Sequence, residues 1–396
     1  MKLLADLNIE EMEALLAGTP KYRARQLFKW VSLGATYGEM SDIPLKIRQK
    51  LKSGGESRTS LANGSNNEFA TSEGFGDAAA EIIKEVAAKD GSVKLLYKLW
   101  DSNAVEGIYM PHAYGNTLCV STQVGCRMKC AFCASGIGGL VRNLSAGEIY
   151  GQVIAANKRF SHEANGGVGR TNERGDGDKG GTGGDLNKTN KNDARAISKV
   201  VFMGSGEPLD NYDATTKAIK LLCDTNGLNL SQRGISLSTC GLPDKIRRLA
   251  DEGFSVTLSI SLHATTDEAR RGIMPVAKSF ALHEVLEAAK YYFEKTSRRV
   301  IIEYICIKDA NVSFFDAKRL KDLLRGMSAH VNLIPLNYVK ESALAPASSQ
   351  QAGRFLKWLK DLGVSATLRK SSGAEASGAC GQLRNKFVCH KDRQNT

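Results

Sequence analysis

Three cysteines stand within eight residues of one another in the segment Gly125-Cys126-Arg127-Met128-Lys129-Cys130-Ala131-Phe132-Cys133. Thiols this close, directly after an apolar run, have the spacing of metal ligands. A closed structural zinc site takes four ligands, commonly as two separated pairs, and no fourth Cys or His completes this loop. Three thiolates suit an iron–sulfur cluster with one iron left open, where the amino and carboxylate groups of S-adenosylmethionine (SAM) can bind. An incomplete zinc site is the plainer alternative.

Such a loop needs a scaffold. From residue 114 onward, short β-branched runs alternate with amphipathic stretches, which predicts strands at 118–122, 200–204, 235–239, 256–262, 300–307 and 331–336. Helices are predicted at 145–159, 214–224, 244–251, 282–295 and 315–326. Repeated βα units imply an α/β protein with a parallel sheet covered by helices; the count suits a partial barrel, and an open doubly wound sheet fits the same pattern. The polar motifs Gly206 and Glu207, Ser238, Ser261 to His263 (with Leu262 between them) and Asn337 fall where predicted strands end. In barrels of βα units the loops at those ends build the active site, so the motifs can surround one ligand. Taken singly, Gly206 could be a turn residue, His263 a core histidine and Asn337 a turn former.

Residues 9–51 have helical periodicity and predict a small helical module. Residues 53–76 are rich in Ser, Gly and Asn and read as a loop or insertion. Residues 161–196 carry nine glycines and five asparagines with almost no large apolar side chains. That composition cannot offset the entropy of ordering, so the stretch is expected to be a disordered insertion. The formal charge is +12, and residues 21–52 hold eight Lys or Arg against two acids. A basic patch of this kind suits a polyanion, with a solvated basic surface as the bland reading. The acidic first residues do not resemble a signal peptide, and no apolar run reaches the roughly 18 residues of a membrane span. A cytoplasmic protein with reduced cysteines is expected.

Around the cysteine loop the sequence resembles the radical-SAM RNA (adenine-C2) methyltransferases that act on 23S ribosomal RNA and tRNA. The likeness is carried, in the family's order, by residues 23–30 (RARQLFKW), 117–121 (TLCVS), the CxxxCxxC loop and 142–149 (RNLSAGEI). It continues through 206–209 (GEPL), 261–264 (SLHA), 332–337 (NLIPLN) and 379–383 (ACGQL). The family more often has Met at the position of Ser205 and Ser at that of Cys240. The resemblance implies a radical-SAM partial (β/α)6 barrel core over 112–373, a helical RNA-binding domain over 1–90 and a short catalytic tail over 374–396.

It also implies roles. Cys126, Cys130 and Cys133 hold one 4Fe-4S cluster; Gly206, Glu207, Ser238, Ser261, Leu262, His263 and Asn337 contact SAM. Cys380 accepts a methyl group from one SAM, and a second SAM, cleaved reductively, yields the radical that activates it for attack on the base. Glu106 is the implied proton acceptor, and Cys119 releases the product by forming a transient disulfide with Cys380. Taken alone, Glu106 could be a surface residue and Cys119 a buried strand cysteine. Cys380 lies in a Gly- and Ser-rich stretch, where a structural buried thiol is unexpected. The implied substrates are adenine 2503 of 23S rRNA and adenine 37 of tRNAs. The implied electron donor is one such as flavodoxin, and the implied state is a monomer with no membrane partner. Two alternatives remain: methylation at adenine carbon 8 on the same scaffold, and a non-catalytic iron–sulfur RNA-binding protein.

Overall fold

The computed structural model describes residues 3–53, 74–76, 78–165, 196–337 and 342–369. Three helices come first, α1 (Ile9–Leu15), α2 (Tyr22–Ser32) and α3 (Leu45–Ser53), then strands β1 (Glu81–Ala87), β2 (Val93–Lys98) and β3 (Ala104–Met110). They are followed by β4 (Thr117–Cys119), β5 (Gln123–Gly125), β6 (Leu140–Asn143) and α4 (Ala146–Asn165). Strands and helices then alternate: β7 (Lys199–Phe202), α5 (Tyr212–Cys223), β8 (Ile235–Thr239), α6 (Pro243–Asp251), β9 (Thr257–Ser261), α7 (Asp267–Ile273), α8 (Leu282–Thr296) and β10 (Val300–Cys306). The described chain ends with α9 (Phe314–Leu323), β11 (Ala329–Pro335), α10 (Ser349–Asp361) and β12 (Ala366–Leu368).

One sheet runs in the order β1-β2-β3-β4-β7-β8-β9-β10-β11-β12. From β4 onward every neighbouring pair is parallel and the spatial order follows the chain. A doubly wound sheet reverses its strand order at a switch point; this one does not, so the units wind one way as a partial barrel. All the carboxyl ends therefore face the same rim. β5 and β6 form a separate hairpin that flanks the cysteine loop.

The sequence dictates these elements by burial. β10 (Val-Ile-Ile-Glu-Tyr-Ile-Cys) is buried along nearly its whole length, as a strand covered by helices on one side and filling a barrel on the other must be. The α4 start is fixed by a capping box: Glu148 N–H donates to Ser145 Oγ at 3.1 Å and Ser145 N–H to Glu148 Oε2 at 2.9 Å. Arg142 then holds the same carboxylate with two bonds of 2.7 Å, so this part of the RNLSAGEI motif is structural. One continuous apolar cluster extends from Met12 and Phe28 through Tyr150 and Val153 to Ile260, Ile302 and Phe355. The N-terminal helices thus share the barrel's core, and Tyr150 of α4 donates to Ser32 of α2 at 2.9 Å.

Three expectations need correction. The helical stretch does not reach residue 90: it ends at Ser53, and β1, with β2 and β3, extends the barrel sheet antiparallel to β4. β1 escapes a pattern search because it is largely exposed, without the alternation of a half-buried strand. The expected insertion at 161–196 is too wide at both ends. Helix α4 continues to Asn165, and Ala196 is buried, its N–H donating to Asn157 Oδ1 at 2.7 Å. Residues 166–195 lie outside the described residues. Finally, α10 and β12 add a further βα unit; β12, at three residues, is too short to give a periodic signal.

Asn211, ahead of α5, ties two connections together: its Nδ2 donates to the buried carbonyls of Thr122 (2.9 Å) and Leu144 (2.8 Å). Asn211→Ala leaves both acceptors buried without that donor and should cost roughly 2–4 kcal/mol in urea unfolding. A midpoint unchanged from the native chain would refute this account of the loops.

Candidate active site

The rim of carboxyl ends opens into a cavity of about 340 Å³. It is lined by Cys126, Cys130 and Cys133, by Gly206 and Glu207 after β7, and by Ser238 of β8. Ser261 of β9, His263, Asn337 beyond β11 and Cys119 of β4 complete this set. Of the predicted residues described, Leu262 and Glu106 do not line it. Leu262 points into the core, while its N–H donates to the Glu303 carbonyl at 3.1 Å. Glu106 is 3% exposed and lies 3.5 Å from Lys94 Nζ, and it is Lys94 that reaches the cavity. Cys380 lies outside the described residues.

Glu207 is set by a lattice of short bonds. Its N–H donates to Gln123 Oε1 at 2.9 Å, and its carboxylate accepts from Cys240 N–H at 2.7 Å and Leu209 N–H at 3.1 Å. Burial raises its carboxyl above the usual range, against the pull of those amides. Gly206 has φ +108°, and a Cβ there would stand 2.6 Å from Gln123 Cβ, so only glycine lets the chain turn so close to the neighbouring strand.

The cysteine loop is anchored in the same way. Gly125 has φ +80°, with the Gly139 carbonyl where a side chain would begin, and Cys126 N–H donates to that carbonyl at 3.0 Å. Ala131 N–H donates to the carbonyl of Ile273, at the end of α7 (2.9 Å). Burial pushes the Cys126 thiol up to about 12 and raises Cys130, which the thiols of Cys133 and Cys126 raise further. The loop's Phe132 packs edge-on against His263 with ring centroids 4.7 Å apart. His263 has φ +61°, and burial, with Arg270 nearby, lowers its pKa to about 3, so the ring is neutral. Its Nδ1 accepts from Ile305 N–H at 3.2 Å, which leaves the ring proton on Nε2 as a donor.

The chain matches the Radical SAM superfamily over residues 187–316, a stretch that starts after the cysteine loop. It is 39% identical to a probable dual-specificity RNA methyltransferase RlmN of Clostridium perfringens, over 99% of both chains. It is 40% identical to that of Symbiobacterium thermophilum, over 97% of this chain and 91% of the relative. A crystal structure of a radical SAM methyltransferase from Sphaerobacter thermophilus superposes with a TM-score of 0.80 at 35% identity, covering 96% of this chain and 99% of the other. The chain belongs to the RlmN family of radical-SAM RNA methyltransferases. Membership implies SAM and an iron–sulfur cluster as cofactors and RNA as substrate. No described helix is long and apolar enough to cross a membrane.

The donors present fit those cofactors. The thiols of Cys126, Cys130 and Cys133 line one cavity, a donor set for a polynuclear cluster in which three irons each take one cysteine. Sequence reasoning missed several lining residues: Lys94, Met203, Cys240, Glu303 and Arg369. Glu303 had a signal, since it is an acid in the middle of an otherwise apolar strand. Register places it between Ser261 and Asn332, and Asn332 Nδ2 donates to its Oε2 at 3.0 Å.

Burial raises the Glu303 pKa to about 7, with Arg369 and Asn332 opposing, against an ordinary value of 4.5. The folded chain therefore holds a proton that the unfolded chain releases between those values, and stability falls as pH rises through that window. Glu303→Gln should remove a loss of about 3 kcal/mol between pH ~4.5 and ~7, read as urea midpoints that no longer diverge across the window. Equal slopes in the two proteins would show that Glu303 titrates normally.

Proposed function

We propose that the chain methylates carbon 2 of adenine in 23S ribosomal RNA, and adenines in tRNA, through a methyl group carried on Cys380. The observation that supports this best is the convergence of Cys119 with Cys126, Cys130 and Cys133 on one cavity whose rim bears Gly206, Glu207, Ser238, Ser261, His263 and Asn337. Two further thiols, Cys119 and Cys240, line the cavity beside the three of the loop, and the resemblance gives the resolving role to Cys119.

Cys126, Cys130 and Cys133 would hold a 4Fe-4S cluster with SAM at the open iron, and their protons leave on loading, since the ligands are thiolates. When bound, the cluster supplies the electron that cleaves SAM reductively, a radical route that an electron-poor ring carbon needs. Glu207, with two backbone amides fixing its orientation, accepts the ammonium of SAM, whose charge restores the carboxylate that burial disfavours. His263 offers its Nε2 proton and Ser238 and Ser261 their hydroxyls along the nucleoside, with Asn337 on the ribose side. Leu262 takes part through its backbone.

Glu106 serves as proton acceptor together with Lys94, which stands between it and the cavity. In the release step the Cys119 thiolate attacks Sγ of Cys380. The sulfur–sulfur bond forms, the sulfur–carbon bond to the base breaks, and its electron pair passes to the methylene carbon, which takes a proton and becomes the methyl group. An electron donor such as flavodoxin and a monomeric state complete the reading.

The decisive experiment is nucleoside mass spectrometry of ribosomal and transfer RNA from cells with and without the gene. Loss of 2-methyladenosine on deletion is expected; loss of 8-methyladenosine instead would assign the carbon-8 reaction. Cys119→Ala should still load its cluster and attack RNA, then stall as a protein–RNA adduct that survives a denaturing gel, because alanine cannot displace sulfur. Release of methylated RNA by that variant at the native rate would return Cys119 to a purely structural place in β4.

A further inference from the structure

Arg270 of α7 heads the large side chains that are fully buried, with 0% exposure. Its Nη2 donates to the Cys240 carbonyl, while Nε and Nη1 are buried without a hydrogen-bond partner among the described residues. Among the described residues no carboxylate comes within ion-pair distance of it; Asp267, on the same helix, acts only at longer range, and its Oδ1 accepts from Leu282 N–H. Arginine cannot escape by losing its proton, and a buried cation with two idle donors is strongly unfavourable. Something anionic must face it in the working protein.

The hydrogen bond of its guanidinium ties it to the cavity wall, since Cys240, whose carbonyl it holds, lines the cavity together with Cys130. The helix is joined to the cysteine loop at short range: Ile273 accepts the N–H of Ala131, next to Cys130, and Met274 lines the cavity while donating its own N–H to the Arg270 carbonyl (2.8 Å). Arg270 itself does not line the cavity; it reaches the carbonyl of Cys240, which does.

We propose that Arg270 is the built-in counter-charge of the cluster, a positioning residue that acts through Cys130 to make the cluster easier to reduce. The inference rests on the reading that the three loop thiols hold a cluster. Three thiolates bring negative charge to this pocket and reduction adds more, so a permanent cation beside it stabilises the reduced form more than the oxidised one.

The test compares native protein, Arg270→Met and Arg270→Lys after anaerobic reconstitution. Each is assayed for iron and sulfide per chain, then titrated by electron paramagnetic resonance against potential, without added SAM. Arg270→Met with a full cluster should be at least tenfold harder to reduce, a shift of about 59 mV to more negative potential for a one-electron couple. Arg270→Lys, which keeps the charge, should recover most of that shift. An unchanged potential in a fully loaded Arg270→Met protein overturns the proposal, and so does a shift seen only with SAM present, which would assign the cation to the SAM carboxylate.

Thermal unfolding covers the case of a poorly behaved variant. Cluster-free Arg270→Met should unfold at no lower temperature than cluster-free native chain, and loading should stabilise it less than it stabilises the native chain. A cluster-free variant that fails to fold overturns the proposal in favour of a structural role. A stable variant that alone fails to take up iron supports the same coupling. A native chain that takes up no iron at all defeats the cluster reading first, and the iron assay separates that result from a failure of the Arg270 proposal.

Discussion

The buried carboxylate of Glu207 is the point at which three strand ends are joined. Its own N–H reaches back to Gln123 of β5, and its oxygens hold backbone amides at Leu209 and, beyond β8, at Cys240. Gln123 in turn donates to Asn143 and Asp210 at 2.8 Å each, so the hairpin that carries the cysteine loop is fixed against the end of β7. The requirement for Gly at 206 follows from this closeness, because the chain must pass within van der Waals contact of the Gln123 side chain. Without the Glu207 lattice the cysteine loop and the strand-end motifs would be neighbours in topology but free to move apart.

The barrel supplies the coarser half of that arrangement. Parallel pairing in chain order brings the ends of β4 and of β7 to β12 to one rim, so residues far apart in sequence converge without any special local device. The remaining elements brace it. Helix α4 is capped by Ser145 and Glu148, gripped by Arg142 and packed on α2, and the N-terminal helices share its apolar core rather than forming one of their own. The basic N-terminal helices are therefore continuous with the barrel through one apolar core.

Much of this was legible in the residues, and what was not has physical reasons. Buried strands such as β8 to β11 announce themselves by β-branched runs, and the cysteine loop by spacing alone. The antiparallel β1 did not, since an exposed edge strand with Glu81, Lys84 and Glu85 has little reason to look apolar. The capping role of Ser145 and Glu148 was visible only as part of a family motif, though its S-x-x-E pattern carries the explanation. Glu106 was legible as a residue but not as a buried pair with Lys94, because pairing depends on β2–β3 register. Arg270 could not be singled out at all: in sequence it is one of two adjacent arginines, and only the fold decides that Arg271 is exposed while Arg270 is entirely enclosed.

That enclosure sets Arg270 apart from every other ionisable group around the cavity whose titration is displaced. Burial raises Glu207 and Glu303, lifts the thiols of Cys126, Cys130 and Cys240, and drops His263 to about 3, so each is moved toward its neutral form. An apolar pocket has little means of hydrating charge and disfavours it wherever a proton can be gained or lost. In the proposed reading charge arrives with the ligands: the ammonium of SAM would re-ionise Glu207, and metal binding would strip protons from the thiols. A guanidinium cannot follow this rule, since it has no accessible neutral form. A pocket that disfavours its own charge yet has a wholly buried guanidinium beside it is suited to a ligand set of negative net charge, as the proposed thiolate-bound cluster would be.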